Sequence, residues 1–368
     1  MAVYTTIDDP SAYFHIQLFT GDDNADRLIT NDANAGDFRP DLLILKNRSS
    51  VSSHGTFDSS RLASSESTLI LRTNGSGAEE DKVDRFGGFE TDGFTVDGND
   101  ADTNADGDLF VAWQWKANGS GGAQTDGDID TVRSTNTTSL FTVATYTASG
   151  TAGNTLGHGL GVVPGLYIIK NRDEADNWRV YHHKNTSAPE TEFLGLNVTN
   201  ATEDDAGMTN DTAPTTSLIT LGSMVELNTS GEDYVMYAWG EVQGFSKFGS
   251  YTGNANADGP FIYTGFKPAL VCVKLTSASG EAWNVVDNKR AGGGGAGGNP
   301  NGNILLWSGN DADYASGSYQ YAYVDMLSNG FKIRTSANQM NKSGQTFVFM
   351  AWAEAPFVNS NGVPCNAR

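Results

Sequence analysis

Two side-chain pairs in this chain have the types and spacing of an acid–base couple: Asp58 with Arg61, and Asp287 with Arg290, each three residues apart. A carboxylate beside a guanidinium can hold charge against a substrate, but the same pair can simply order a turn through charge-assisted hydrogen bonds. The surrounding residues weigh on the choice. Trp283 and Asp287 align with Trp178 and His182, and His54 and Asp58 take the same two places in an earlier stretch. The middle stretch carries His182 and Asn185 where the others carry Asp and Arg, so the pair is dispensable at one of its occurrences and the turn-ordering reading is favoured.

The string Asp102, Asn104, Asp106, Gly107 matches the first half of a calcium loop, with oxygen ligands on alternate residues and Gly at the sixth place. The twelfth place, where a bidentate Glu closes the shell, is Trp113. An acidic, solvated hairpin loop is therefore expected, with calcium on Asp102, Asn104 and Asp106 as the alternative and no other cofactor. Asp126, Asp128 and Asp130 form a weaker version of the same pattern. Gly157, Gly159 and Gly161 imitate a phosphate loop but lead into an apolar strand, not a helix. The histidines lack metalloprotease spacing and there is no Gly-x-Ser-x-Gly elbow, so the sequence nominates no catalytic centre. Aromatics are better candidates for ligand chemistry. Trp307, Tyr314, Tyr319, Tyr321 and Tyr323 lie among Ser, Gly, Asn and Asp, a mixture that offers a glycan stacking faces and adaptable hydrogen bonds. Packing of the same tyrosines on a sheet or a neighbouring subunit is the competing expectation.

The elements that must position these residues are spelled three times. Pro40, Pro164 and Pro268 each open an apolar run that ends six residues later at Lys46, Lys170 and Lys274. An aromatic-Thr step precedes each run (Phe19-Thr20, Tyr146-Thr147, Tyr251-Thr252), and an apolar run closing in Ala-Trp follows it (Ala112-Trp113, Ala238-Trp239, Ala351-Trp352). Units of this length are small domains and not solenoid repeats. Forty-three glycines, many Asn-Gly, Asp-Gly and Gly-Ser turns, and the lack of a helical apolar stripe predict an all-β chain. The closing runs are apolar on both alternate faces, as in a strand covered on both sides. Three tandem β-sandwich repeats of jelly-roll or concanavalin-like type are therefore expected. Their boundaries are 1–117 for an N-terminal arm and first repeat, 118–139 for a Gly/Ser/Asp-rich linker with room for a short strand from Ile129 to Arg133, 140–243 and 244–358 for the second and third repeats, and 359–368 for a tail. A row of copies and a pseudo-threefold ring are equally compatible with the repeat.

The 44 acidic and 23 basic residues give a net charge of −21, a field that repels phosphate backbones and anionic lipid, so neither nucleic acid nor membrane is expected as a partner. Cys272 in a predicted strand and Cys365 near the C-terminus are read as two reduced thiols. The first ten residues contain Asp8 and Asp9 and no basic-then-apolar pattern, so no secretory segment is expected.

Several phrases are distinctive as strings: MAVYTTIDDPSAY at 1–13, GHGLGVVP at 157–164, YTGNANADGPFIYTGFKP at 251–268, SNGFK at 328–332 and MAWAEAPF at 350–357. Together they resemble a family of virion structural proteins of tailed bacteriophages from aquatic sources. The resemblance implies a place on the virion, a tail-fibre-like role and a concanavalin-like sandwich, and it brings no catalytic residues. The expected function is a tail fibre or appendage that attaches to a host-surface glycan, with other virion proteins as partners and a homo-oligomer, a trimer, as the assembly. A capsid decoration or head-fibre protein is the alternative. A polysaccharide-degrading enzyme ranks below both, and the chain is expected not to be an enzyme.

Overall fold

In a computed structural model that describes residues 4–61, 69–83, 85–98, 100–292, 295–296, 298–313 and 323–366, the three Pro-to-Lys runs occupy the same place in three sheets. These lysine strands are Leu42–Asn47, Leu166–Asn171 and Phe266–Leu275. Each pairs antiparallel on one side with a closing strand, Leu109–Trp115, Asp233–Trp239 or Thr346–Pro356. On its other side lies a short cross strand, His54–Asp58, Arg179–His182 or Asn284–Asp287. An opening strand, Phe14–Thr20, Phe141–Thr147 or Ser246–Thr252, flanks the closing strand. The order opening, closing, lysine, cross thus recurs in every copy. The described residues are nearly all β or irregular, with two four-residue helices, Val225–Asn228 and Asn338–Asn341.

Register corrects one alignment drawn from the strings. Leu42, Leu166 and Leu270 stand opposite Trp115, Trp239 and Trp352, so the first-copy counterpart of the later tryptophans is Trp115 and not Trp113. A strand's period of two puts Trp113 and Trp115 on one face, which is why a two-residue slip left the apolar pattern intact.

Both faces of each main sheet are buried, for two different reasons. One face meets a smaller sheet of its own copy. In copy one this buries Leu43, Leu45, Phe57, Phe94 and Phe110, and in copy two Tyr167, Ile169, Ile219 and Met236. The opposite faces of all three main sheets meet each other in a single shared core that contains Leu42, Leu166 and Leu270 with the three tryptophans. The copies therefore close into a ring and do not have wholly separate cores. At the centre Trp115, Trp239 and Trp352 lie edge to face, with centroids 5.1 to 6.0 Å apart and interplanar angles of 65° to 73°. Their indole nitrogens have no polar partner among the described residues, and the arrangement sets indole edges against ring faces, which act as weak acceptors. The void beside them is only about 20 Å³ and walled mainly by apolar groups, so the axis is core and not a ligand site.

Residues 118–139, expected as a linker with a short strand at 129–133, add two strands. Gly122–Gln124 pairs with Thr131–Asn136, which pairs with the opening strand of copy two and covers an edge that would otherwise be unpaired. The N-terminal arm is a clasp on the far side of the ring. Tyr4 donates to the Gly265 carbonyl (2.8 Å) and Thr5 to that of Gln243 (2.7 Å), while Ile7 enters the shared core. Thr5 packs on Gly244, whose φ of 81° and bare Cα admit it; a Cβ there would lie 2.9 Å from the threonine side chain.

Candidate functional site

The ring closes through one backbone bond used three times. The Glu79 amide donates to the Arg172 carbonyl (2.7 Å) between copies one and two, Thr202 to Thr276 (2.8 Å) between two and three, and Asp313 to Arg48 (2.9 Å) between three and one. The cross strand of each copy also reaches the closing strand of the next. Asp58 accepts from the Tyr237 hydroxyl (2.7 Å), Asp287 from Trp113 Nε1 (3.1 Å), and His182 Nε2 donates to the Phe349 carbonyl (3.1 Å).

Two of these junctions carry the same buried ion network. Arg61 binds Asp58 (2.5 Å) and Glu79 (2.7 Å), and Glu79 goes on to Arg172 of the next copy (2.8 Å). Arg290 likewise binds Asp287 (2.6 Å) and Asp313 (2.6 Å), which goes on to Arg48 (2.7 Å). Burial works against ionisation of Glu79 and Asp287, but the adjacent guanidinium groups outweigh it and hold both carboxyls below the usual carboxylate range. Both Asp–Arg pairs are shut away from solvent, which supports the turn-ordering reading and leaves them no access to a substrate.

The third junction has the same frame without the charges. His182, Asn185, Thr202 and Thr276 replace the Asp, first Arg, acid and second Arg, and the only side-chain bond among the last three is Thr202 Oγ1 to Asn185 Oδ1 (2.8 Å). The shorter side chains leave an open groove of about 540 Å³ that reaches Lys184, Glu192 and Ser250. A separate cleft of about 320 Å³ lies within the sheet of copy two, lined by residues of 123–147 with Arg172 and Asp233.

The family model for a domain of unknown function, DUF7483, matches residues 9–356. The chain belongs to the DUF7483 family. No curated protein matches it. The DUF7483 span ends with the last closing strand and takes in all three copies and every junction residue, so the whole ring is the family's unit.

Two side chains repeated through the DUF7483 ring are structural. Lys46, Lys170 and Lys274 are fully buried and donate to loop carbonyls: Ser52 (2.8 Å), Glu174 (3.1 Å) and Glu281 (2.5 Å). Burial pushes each ammonium down to about 8. Asn104, Asn228 and Asn341 each stand five residues before a closing strand begins, and each accepts from or donates to the loop after its opening strand. This asparagine triplet went unnoticed in the sequence, although its constant offset was the available signal.

That role accounts for one residue of the calcium string. Asn104 is bonded to Asp22 and Asn24 (3.2 and 2.9 Å), whereas Asp102 faces Arg85 (3.1 Å), Arg72 (3.4 Å) and Ser52 (2.5 Å). Asp106 is exposed and binds through its backbone to Asp23 (3.0 Å). The side chains of Asp102 and Asn104 thus serve separate networks while that of Asp106 is exposed, and no cluster of three His, Cys, Asp or Glu suited to a metal occurs among the described residues. Of the aromatic set, Trp307 is buried in the shared core 6.1 Å from Trp113, in the place that Leu196 holds in copy two, and has no face left for a sugar. Tyr323 lays its ring over Gly302. Tyr314, Tyr319 and Tyr321 lie outside the described residues. Cys272 and Cys365 are both unpaired, and burial raises the thiol of Cys272 well above its ordinary value.

Proposed function

We propose that this protein is a structural component of a bacteriophage virion surface that contacts a host glycan through a rigid three-part ring. The observation that carries the reading is where the buried charge is used: Asp58, Arg61, Asp287, Arg290 and the three lysines all join copies or close loops, as befits a scaffold that presents its outer surface. The phage-like strings support the location. The tandem β-sandwich description belongs to the same proposal, supported by the pairing of each main sheet with a smaller one. A homotrimer also remains part of it, each subunit being a ring.

The second reading, a capsid decoration, is favoured by the closed ring itself, because copies that turn back on one another do not extend a fibre. Binding of purified, labelled protein to host cells and to a glycan array, read beside antibody labelling of the intact particle, tests both. Cell and glycan binding with label on the tail supports attachment; label over the shell with no cell binding replaces it with decoration.

A further inference from the structure

We propose that the groove between copies two and three binds a neutral saccharide through its hydroxyl groups, an inference that rests on the attachment reading and gives it a site. The ring holds three junctions with one backbone frame, and only this one lacks the paired arginines and acids. At the other two, Arg172 and Arg48 reach across to Glu79 and Asp313 and fill the space that Thr276 and Thr202 leave open.

What lines that space is chemistry for hydroxyl groups. Threonine and serine hydroxyls donate and accept, an asparagine amide donates twice, and a carboxylate accepts from a pair of neighbouring O–H groups. Asn185 is buried with its Oδ1 engaged by Thr202, while its amide nitrogen makes no hydrogen bond among the described residues. Glu192, in the groove wall, forms no ion pair among the described residues, and its Oε2 is buried without a donor, a state that is unfavourable until one arrives. The edge of the third sheet runs along the same groove. Phe248 turns its N–H and C=O outward to Glu241 (2.9 Å) and His183 (2.8 Å), so the ladder's alternation places those of Ser250 on the same outer side. Lys184 and Glu192 balance in charge, which selects against a strongly anionic or cationic ligand. Among the described residues no aromatic ring lines the groove, so binding relies on hydrogen bonds exchanged with water and is weak, of roughly millimolar affinity.

Saturation-transfer NMR on the full chain reads affinities of that order. The probes are the methyl glycosides of glucose, mannose and galactose and N-acetylglucosamine. Thr202→Glu with Thr276→Arg rebuilds the acid–arginine bridge of the other junctions and fills the groove; Glu192→Gln leaves its shape and removes the charge. Transfer to at least one wild-type sugar, falling about tenfold (~1.4 kcal/mol) in the double variant, supports the proposal. Should the double variant fail to fold by circular dichroism, the same loss in Glu192→Gln supports it. Transfer that persists in the folded variants overturns the groove and leaves glycan attachment standing elsewhere on the ring. Wild-type protein that gives no transfer to any of the four sugars also overturns the groove, and binding to host cells then decides attachment separately.

Discussion

His182 shows how a single buried side chain ties the ring to pH. Its Nε2 donates to Phe349 of the next copy and its Nδ1 accepts from the Lys184 amide (3.2 Å), which fixes a neutral imidazole with one proton. Burial pushes His182, and likewise His54, down to about 3 from 6.5. Between those values the unfolded chain binds more protons than the folded one, so stability falls as pH drops from 6.5 towards 3. Urea midpoints taken across that range should fall, and less steeply in His182→Gln; an unchanged slope in the variant refutes the assignment. The three lysines act at the other end of the scale. Their folded values near 8 lie below the ordinary 10.5, so the unfolded chain again holds the extra protons and stability gains from this source as pH rises from 8 to 10.5. Replacing Lys170 by Met removes its share of that rise and its bonds to the Asn171 and Glu174 carbonyls, of which Glu174 keeps the Asp176 amide, at a cost of about 1–3 kcal/mol near neutral pH.

At the scale of strands and junctions, the two ion networks specify contacts more than they add stability. A buried pair is often no better than well-packed neutral groups, yet removing one partner strands the other charge. Arg290→Met should therefore lower stability by about 3–5 kcal/mol in denaturant titrations. Transplanting the third junction's solution, Asp58→His with Arg61→Asn, should cost less than Arg61→Met alone, because no carboxylate is then left unpaired; a larger loss in the transplant overturns this account. Much of the strand inventory was legible in the sequence. The Pro-to-Lys runs and aromatic-Thr steps fell in matching places because each depends on local alternation. The Asp–Arg turns were legible as well, through their loss in copy two. Trp307 misled because its polar neighbours suggest a surface, whereas its place is decided by Trp113, a residue 194 positions away in the chain. Of the strands at 118–139, the one at 131–136 was legible as a short strand at 129–133, whereas Gly122–Gln124 was hidden, since its partner strand and not its own exposed side chains holds it.

For the molecule as a whole, the shared tryptophan core implies that the copies do not fold independently. The isolated segment 140–243 would expose Leu166, Tyr237 and Trp239 to water, and it should lack the cooperative thermal transition of the full chain. A sharp, independent melt of that fragment refutes the shared-core description. Trp239→Ala, which opens a hole where all three copies meet, should cost about 3–5 kcal/mol and lower one common transition without splitting it. The ring was not legible in the sequence, because closure depends on which copy's cross strand meets which closing strand, and three near-identical phrases cannot encode that choice locally. The clasp of Asp8 on Ser360 (2.6 Å) brings residues from opposite ends of the polypeptide together beside copy three. Since the backbone bonds and the cross-strand contacts between copies follow one cyclic rule, a circular permutant that joins the segments around Asp8 and Ser360 and opens the backbone between the first two copies should reach the same architecture. The linear sequence of the modules would then be an accident of where the gene is cut.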